Sequence, residues 1–232
     1  MASSPTVPGA GVPVLITSER PAKRPRVWRE RPSKQELAQL PRFSALGPDQ
    51  VIVVQSPSSA AKAAAALTGA TTLGFDTESR PVFQPGVKST GPHLVQLATD
   101  RTAVLFPLTG LEMDPLLRQI LEDGRVIKVG FGLGGDKTKL FNKFGLRMRG
   151  TAEVSGLVQA LGFRQRVGLQ TAVAVVLGQY LVKSKKITTS NWGARPLSAA
   201  QVMYAAHDAV ASLRVYRAVS PVPVDPTEAR EA

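Results

Sequence analysis

The feature that most limits the possible folds is a group of three apolar segments in the middle of the chain. They are TTLGFDTE (71–78), HLVQLAT (93–99) and AVLFPL (103–108), and each has the length and apolar content of a β-strand. Only four residues, 99–102, connect the last two segments, and so short a connection favours antiparallel pairing. The three segments therefore predict an antiparallel meander.

The segments that flank the meander alternate between strand and helix patterns. They are a strand at 51–55, a helix at 56–67, a helix at 114–123, a strand at 125–131 and a helix at 136–145. Ser56 has the position of an N-cap and Gly145 that of a helix end. From about residue 151 the chain is largely helical. The sequence therefore predicts an α/β protein with a mixed sheet, the meander plus further strands, flanked by helices.

Composition divides the chain into three parts. Residues 1–48 are rich in proline, glycine and basic residues and poor in apolar ones, which predicts a flexible extension. Residues 49–220 form the predicted folded domain, and residues 221–232 a C-terminal tail. The basic extension, which carries Trp28, is either an arm that binds nucleic acid or a solubilising or targeting segment.

The formal net charge of +12 and an isoelectric point near 10.5 indicate a polyanionic partner, for which nucleic acid is the first hypothesis. A solvated basic surface or an anionic membrane surface is the alternative. The absence of cysteine excludes thiol catalysis, thiolate metal sites and disulfides. The sequence has neither a secretory signal pattern nor an apolar run long enough to span a membrane, so we expect an intracellular, cytoplasmic protein.

The segment KVGFGLGGDKTKL contains the spacing Gly130-x-Gly132-x-x-Gly135, which is typical of dinucleotide-binding sites, and Glu153 lies at a suitable distance for a ribose contact. Such a site normally belongs to the first βαβ unit, whereas these glycines follow the meander. We also expect Glu153 to follow a loop and begin a helix rather than to end a strand. We therefore interpret the glycines as a turn that brings Asp136 close to a functional site.

Three elements carry candidate catalytic groups. Asp76 and Glu78 lie two residues apart at the end of a predicted strand, so their carboxylates share one face of the sheet. Tyr204 and Asp208 lie one helical turn apart in the last helix. Asp136 follows the glycines at a helix start. Each element has an ordinary structural explanation when it is taken alone.

The order of these elements and their surroundings resemble the DEDD superfamily of 3′–5′ exonucleases, and within it the DEDDy branch. The matching segments are FDTESRPVF, PHLVQLAT, VGFGLGGDKTKL and KSKKITTSNWGARPLSAAQVMYAAHDAVASLRVY. They look like the RNase D and Werner-syndrome-helicase exonuclease group, and the resemblance covers roughly residues 50–218. It implies an RNase H-like fold and hydrolysis of phosphodiester bonds from the 3′ end of DNA or RNA.

The resemblance also implies roles for the acidic residues. Asp76, Glu78 and Asp208 would hold one divalent ion, and Asp76 with Asp136 would hold a second. An all-oxygen ligand set suits Mg²⁺ or Mn²⁺ rather than Zn²⁺. Two such ions stabilise the attacking and the leaving oxygen of an in-line displacement, and Tyr204 would orient the attacking water.

His207 is next to Asp208 but lies on a different face of the helix. The sister DEDDh branch has its catalytic histidine five residues before the last aspartate, a position that Met203 occupies here. We therefore interpret His207 as structural. Basic residues near the matching motifs are expected nucleic-acid contacts, and these are Arg80, Lys185, Lys186 and Arg195.

The sequence thus predicts a metal-dependent 3′–5′ exonuclease. A non-catalytic nucleic-acid-binding module on the same fold is the alternative, and a nicotinamide enzyme comes third. The DTESRP segment resembles the Werner-type subgroup and favours DNA over RNA. The group that distinguishes RNA from DNA is the 2′-hydroxyl, and its contact has no signature in this sequence.

Overall fold

The computed structural model describes residues 28–220 except 83, 85, 87–89, 109 and 111. One six-stranded sheet runs through these residues. Its strands are β1 (Val51–Val53), β2 (Thr72–Glu78), β3 (Leu94–Ala98), β4 (Ala103–Pro107), β5 (Ile127–Gly130) and β6 (Thr151–Glu153). The helices are α1 (Lys34–Gln39), α2 (Pro57–Leu67), α3 (Pro115–Glu122), α4 (Leu133–Phe144), α5 (Val154–Gln159), α6 (Leu169–Leu177), α7 (Lys185–Thr188) and α8 (Ala199–Val219).

The strand order is β1-β4-β3-β2-β5-β6. Strands β2, β3 and β4 pair antiparallel as a meander, in a register that places Ala98 opposite Ala103. The outer strands β1, β5 and β6 pair parallel with their neighbours. The predicted mixed sheet flanked by helices is therefore confirmed. Strand β6 was not predicted, because three residues are too few to show an alternating pattern.

Strand β2 lies between two apolar layers. Gly74 contacts α8 so closely that a Cβ atom there would lie 2.0 Å from the Ala209 carbonyl oxygen. Leu73 and Phe75 point to the opposite side, where they pack with Leu133 of α4. Because successive side chains of a strand alternate, the even-numbered positions of β2 face α8 and the odd-numbered ones face α4.

The part of the N-terminal extension that the structure describes packs on the domain. Ser33 caps α1, and Phe43 and Leu46 are buried in the main core. The Phe43 amide donates a hydrogen bond to the Tyr180 carbonyl at 2.9 Å. Residues 28–48 belong to the segment predicted to be a flexible extension, yet they pack on the domain, because a few well-placed apolar residues suffice to dock a composition that is poor overall. Residues 1–27 and the predicted tail, 221–232, lie outside the described residues.

The longest helix, α8, combines buried apolar positions with charged and polar ones. Among the described residues, no helix is long and apolar enough to cross a bilayer.

Candidate active site

Three carboxylates meet at the end of β2. Oxygen atoms of Asp76, Glu78 and Asp208 all lie within 4.8 Å of one another. The two β2 acids face α8 because they share the even-numbered face of Gly74, and Asp208 directly precedes Ala209, the residue whose carbonyl contacts Gly74. The close approach of strand and helix backbones therefore brings the three acids together.

Burial makes this cluster unfavourable while its acids are charged. Burial, followed by the charge of Asp208, raises the pKa of Asp76 to about 8. Burial, followed by the charge of Asp76, raises the pKa of Glu78 to about 9. Oδ1 of Asp208 is buried and has no hydrogen-bond partner among the described residues. Such a set of crowded oxygens fits a divalent cation, and hard oxygen ligands favour Mg²⁺ or Mn²⁺.

Asp136 lies next to the cluster but on the other side of β2. It is in the first turn of α4, 8% exposed, and its Oδ1 accepts a hydrogen bond from the Thr77 hydroxyl at 2.7 Å. Thr77 separates Asp76 from Glu78 in the strand, so one hydrogen bond links Asp136 to the strand that carries both acids. Burial raises the pKa of Asp136 as well. Asp136 is not one of the three acids within 4.8 Å.

Tyr204 lies one turn before Asp208 in α8 and is mostly buried. Its hydroxyl forms a 2.9 Å hydrogen bond with the Thr188 hydroxyl at the end of α7. Burial and the charge of Asp208 raise the pKa of Tyr204, so its hydroxyl keeps its proton at neutral pH. The structure therefore places a neutral hydroxyl on the acid-facing side of α8.

Lys183 is a site residue that the sequence did not single out. Its Nζ forms an ion pair and hydrogen bond with Asp208 Oδ2, and it lies 4.5 Å from the centre of the Tyr204 ring. Burial alone would lower the pKa of Lys183, but nearby negative charge, led by Asp208, raises it instead. In the sequence Lys183 belongs to the basic run KSKK, in which nothing distinguishes it from Lys185 and Lys186.

The four expected nucleic-acid contacts differ in their surroundings. Lys185 and Lys186 are exposed at the start of α7, and Arg80 is exposed just after β2. Arg195 donates hydrogen bonds to the carbonyl oxygens of Trp192, Ala194 and His93, so it ties the loop before α8 to the start of β3. A contact of any of the four with nucleic acid stays a prediction.

His207 faces away from the acids. Its ring meets Phe43 edge-on at 6.0 Å, and its Nε2 lies 3.4 Å from the Leu46 carbonyl oxygen. The ring therefore contacts the docked N-terminal segment, which agrees with the structural role inferred from the sequence.

The glycine-rich segment does not form a dinucleotide site. Of the three glycines in the motif, only Gly132 has a positive φ, 76°, and it is the N-cap of α4. Gly135 lies inside the helix, so the turn is shorter than the sequence predicted. The Glu153 carboxylate accepts hydrogen bonds from the amides of Gly132 (3.2 Å) and Leu133 (2.9 Å). The helix end that would bind a pyrophosphate thus already binds a carboxylate. Glu153 ends strand β6, contrary to our expectation that it follows a loop, and as the N-cap of α5 it begins a helix, as expected.

Comparison with known proteins agrees with this geometry. Residues 51–222 match the 3′–5′ exonuclease family. A 3′–5′ exonuclease of Arabidopsis thaliana is 31% identical over 158 residues, which cover 67% of this chain and 55% of that protein. The mouse bifunctional 3′–5′ exonuclease/ATP-dependent helicase WRN is 32% identical over 147 residues, which cover 62% of this chain and 10% of that protein. The chain thus spans about half of the first relative and a small part of the second.

Solved structures show the same fold. The Aedes aegypti Nibbler EXO domain has a TM-score of 0.63 and 24% identity, over 79% of this chain and 95% of that domain. Trypanosoma brucei RNase D in complex with RNA U12 has a TM-score of 0.63 and 20% identity, over 83% of this chain and 66% of that one. The mixed sheet and its helices are therefore an α/β fold of the RNase H-like type. Together with the sequence match, this shows that the chain belongs to the 3′–5′ exonuclease family.

Proposed function

We propose that the chain is a DEDDy-type 3′–5′ exonuclease that removes nucleotides from the 3′ end of DNA or RNA with two divalent cations, Mg²⁺ or Mn²⁺. The observation that carries this proposal is the cluster of three carboxylates, the half-buried Asp76 and Glu78 and the buried Asp208, with Asp136 one hydrogen bond away from strand β2. Charged carboxylates this close together repel one another unless a cation lies between them, so metal binding explains the cluster best.

The acids would divide between two ions. Asp76, Glu78 and Asp208 would hold one, and Asp76 together with Asp136 the second. When bound, such ions lower the pKa of a coordinated water and stabilise charge on the attacking and leaving oxygens of a phosphodiester. The hydrogen bond from Thr77 fixes one oxygen of Asp136 and leaves its carboxylate oriented at the edge of β2.

The chain's own groups would position the attacking water. The Tyr204 hydroxyl is neutral and is held by Thr188, so it can hydrogen-bond to a water near Asp208 without taking part in proton transfer. Lys183 keeps Asp208 in place through its ion pair. Positioning groups of this kind lower the barrier by orientation, while the acids supply the charge.

A non-catalytic nucleic-acid-binding module is the second candidate, because the net charge of +12 would serve binding alone equally well. All four acids and Tyr204 are nevertheless present, and a binding module has no need for this costly cluster. The substrate remains DNA or RNA. Among the similar proteins, one is named a bifunctional exonuclease and helicase and one is an RNase D in complex with RNA. The DTESRP segment favours DNA.

The test is a hydrolysis assay with 5′-end-labelled DNA and RNA oligonucleotides of the same sequence. With Mn²⁺ we expect a ladder of products shortened from the 3′ end, and with EDTA we expect intact oligonucleotide. The variant Asp76→Asn serves as the catalytic control. Binding without shortening in Mn²⁺ would support the binding module and contradict the exonuclease.

A further inference from the structure

A cleft lies on the α4 side of the sheet, next to Asp136. It has a volume of about 560 Å³ and is lined by Thr90, Gly91, His93, Leu108, Gly110, Lys139, Asn142 and Lys143. His93 directly precedes β3, and its amide donates a hydrogen bond to the Glu78 carbonyl at 2.8 Å. The cleft therefore adjoins the end of β2, the strand that carries Asp76 and Glu78.

The residues that line the cleft include two lysines and no acid, although Asp136 lies close to one of the lysines. Lys143 Nζ donates a hydrogen bond to the Pro92 carbonyl at 2.8 Å, and Lys139 Nζ lies 3.9 Å from Asp136 Oδ1. Burial lowers the pKa of His93, and the nearby charges of Lys143, Arg195 and Arg80 lower it further, which shows how crowded the positive groups are. The sequence contains no aspartate or glutamate at positions 79–99 or 137–152, the segments that supply most of its wall.

Two lysines extend along α4 from the candidate catalytic acid. Asp136, Lys139 and Lys143 are spaced i, i+3 and i+7, so they share one face of the helix. At about 1.5 Å per residue, the two lysines lie about 4.5 and 10.5 Å further along the axis than Asp136. One face of α4 thus carries Asp136, which would bind a metal ion, followed by Lys139 and Lys143, which would bind phosphates.

We propose that this cleft binds the phosphate backbone of the substrate strand, at phosphates other than the one being cleaved, with Lys139 and Lys143 as strand-positioning residues. The inference rests on the proposed function, because the cleft is assigned to the same substrate. Lysine ammonium groups bind phosphates as point charges. Among the described residues, Lys139 has one carboxylate within ion-pair distance, that of Asp136, whereas Lys143 pairs with a carbonyl oxygen only, so the two charges together still attract a phosphate. The strand would then pass from the acids along α4.

The first experiment measures binding alone. Fluorescence anisotropy with labelled single-stranded oligonucleotide in EDTA, over a range of salt concentrations, compares the wild type with Lys139→Gln/Lys143→Gln. Each lost phosphate contact should reduce the salt slope by about 0.7, so the double variant should lose about 1.4. The matched control, Lys34→Gln/Lys62→Gln, removes the same charge from exposed positions of α1 and α2 and should change the slope much less.

The second experiment measures hydrolysis with Mn²⁺ as a function of substrate length. The loss of kcat/KM in the cleft variant should be smallest for a dinucleotide, which has no further phosphate to reach the cleft, and should grow with length. Lys139→Gln alone keeps the Lys143 hydrogen bond to Pro92 and guards against a folding defect. A salt slope equal to that of the control pair, or a loss independent of length, would overturn the inference. A complete lack of hydrolysis in the wild type would instead refute the proposed function. The binding experiment does not depend on hydrolysis, so it would still test whether the cleft binds the strand.

Discussion

Replacing Gly74 by alanine tests the contact that assembles the site. The added Cβ would lie 2.0 Å from the Ala209 carbonyl oxygen and 3.1 Å from Leu213 Cβ. Non-bonded contacts are favourable at about 3.5 Å, so the strand and helix must separate by at least about 1 Å. The obstructing atom belongs to the backbone of α8 and cannot rotate away. The displacement must therefore be taken up by the backbones of α8 and β2.

The same displacement reaches the acids. Asp208 is bonded to Ala209, so it would move away from Asp76 by a similar distance. A misplacement of about 1 Å can reduce turnover about 100-fold, and we expect a loss of that order in kcat/KM. Overpacking costs about 1–3 kcal/mol, which lowers the Tm of a domain of this size by about 2–12 °C.

The assay combines thermal melting, followed by circular dichroism, with hydrolysis of a labelled oligonucleotide in Mn²⁺. Gly134→Ala is the matched control, because that glycine lies inside α4 without a positive φ, and a Cβ added to it would meet no atom within 4 Å. The control should gain about 0.5–1 kcal/mol from helix propensity. Wild-type Tm and wild-type turnover in Gly74→Ala would refute the reasoning, because strand and helix could then not be in contact at this position.

The remaining predictions concern the acids and their neighbours. Asp136→Asn should lower kcat by more than about 100-fold, because 100-fold is the upper range for residues that only support the metal ligands and Asp136 is proposed as a ligand. Circular dichroism should show an intact fold, and near-wild-type turnover would exclude this role. Tyr204→Phe should lower turnover on the order of ten- to a thousandfold in single-turnover kinetics, and His207→Ala far less; the reverse order would exchange their roles. In EDTA, Tm should fall as the pH rises from about 5 to 9. The pKa values of Asp76 (about 8) and Glu78 (about 9) are raised in the folded state, so the folded state binds more protons than the unfolded state over this range. Mn²⁺ should reduce that fall, and amides at both positions should flatten it; an unchanged profile in the amide variant would assign the effect to other groups.

The meander and the acids were predictable because their signals are local. Residues 99–102 are too few for a parallel crossover, so β3 and β4 had to pair antiparallel. The two-residue spacing of Asp76 and Glu78 placed them on one face of β2. Their meeting with Asp208 came from the family resemblance, since no local pattern shows that Gly74 admits the backbone of α8.

The features that the sequence did not reveal depend on long-range contacts. Lys183 is distinguished from its basic neighbours only by its contact with Asp208 and the Tyr204 ring. The docking of residues 28–48 depends on Phe43 and Leu46, two apolar side chains in a segment whose average composition is that of a flexible arm. A truncation that removes residues 1–46 would therefore disturb the core, whereas removal of 1–27 leaves every described contact in place.

The contact between β2 and α8 also determines when the acidic centre can form during synthesis. Asp76 and Glu78 leave the ribosome before Asp208, which follows Asp76 by 132 positions and Glu78 by 130 and lies in α8. Contacts so far apart in sequence close late, because the intervening chain must be ordered first. A nascent chain therefore carries two of the three clustered acids without the third, and the centre becomes complete only when α8 docks against Gly74. A chain that ends before Asp208 cannot assemble it.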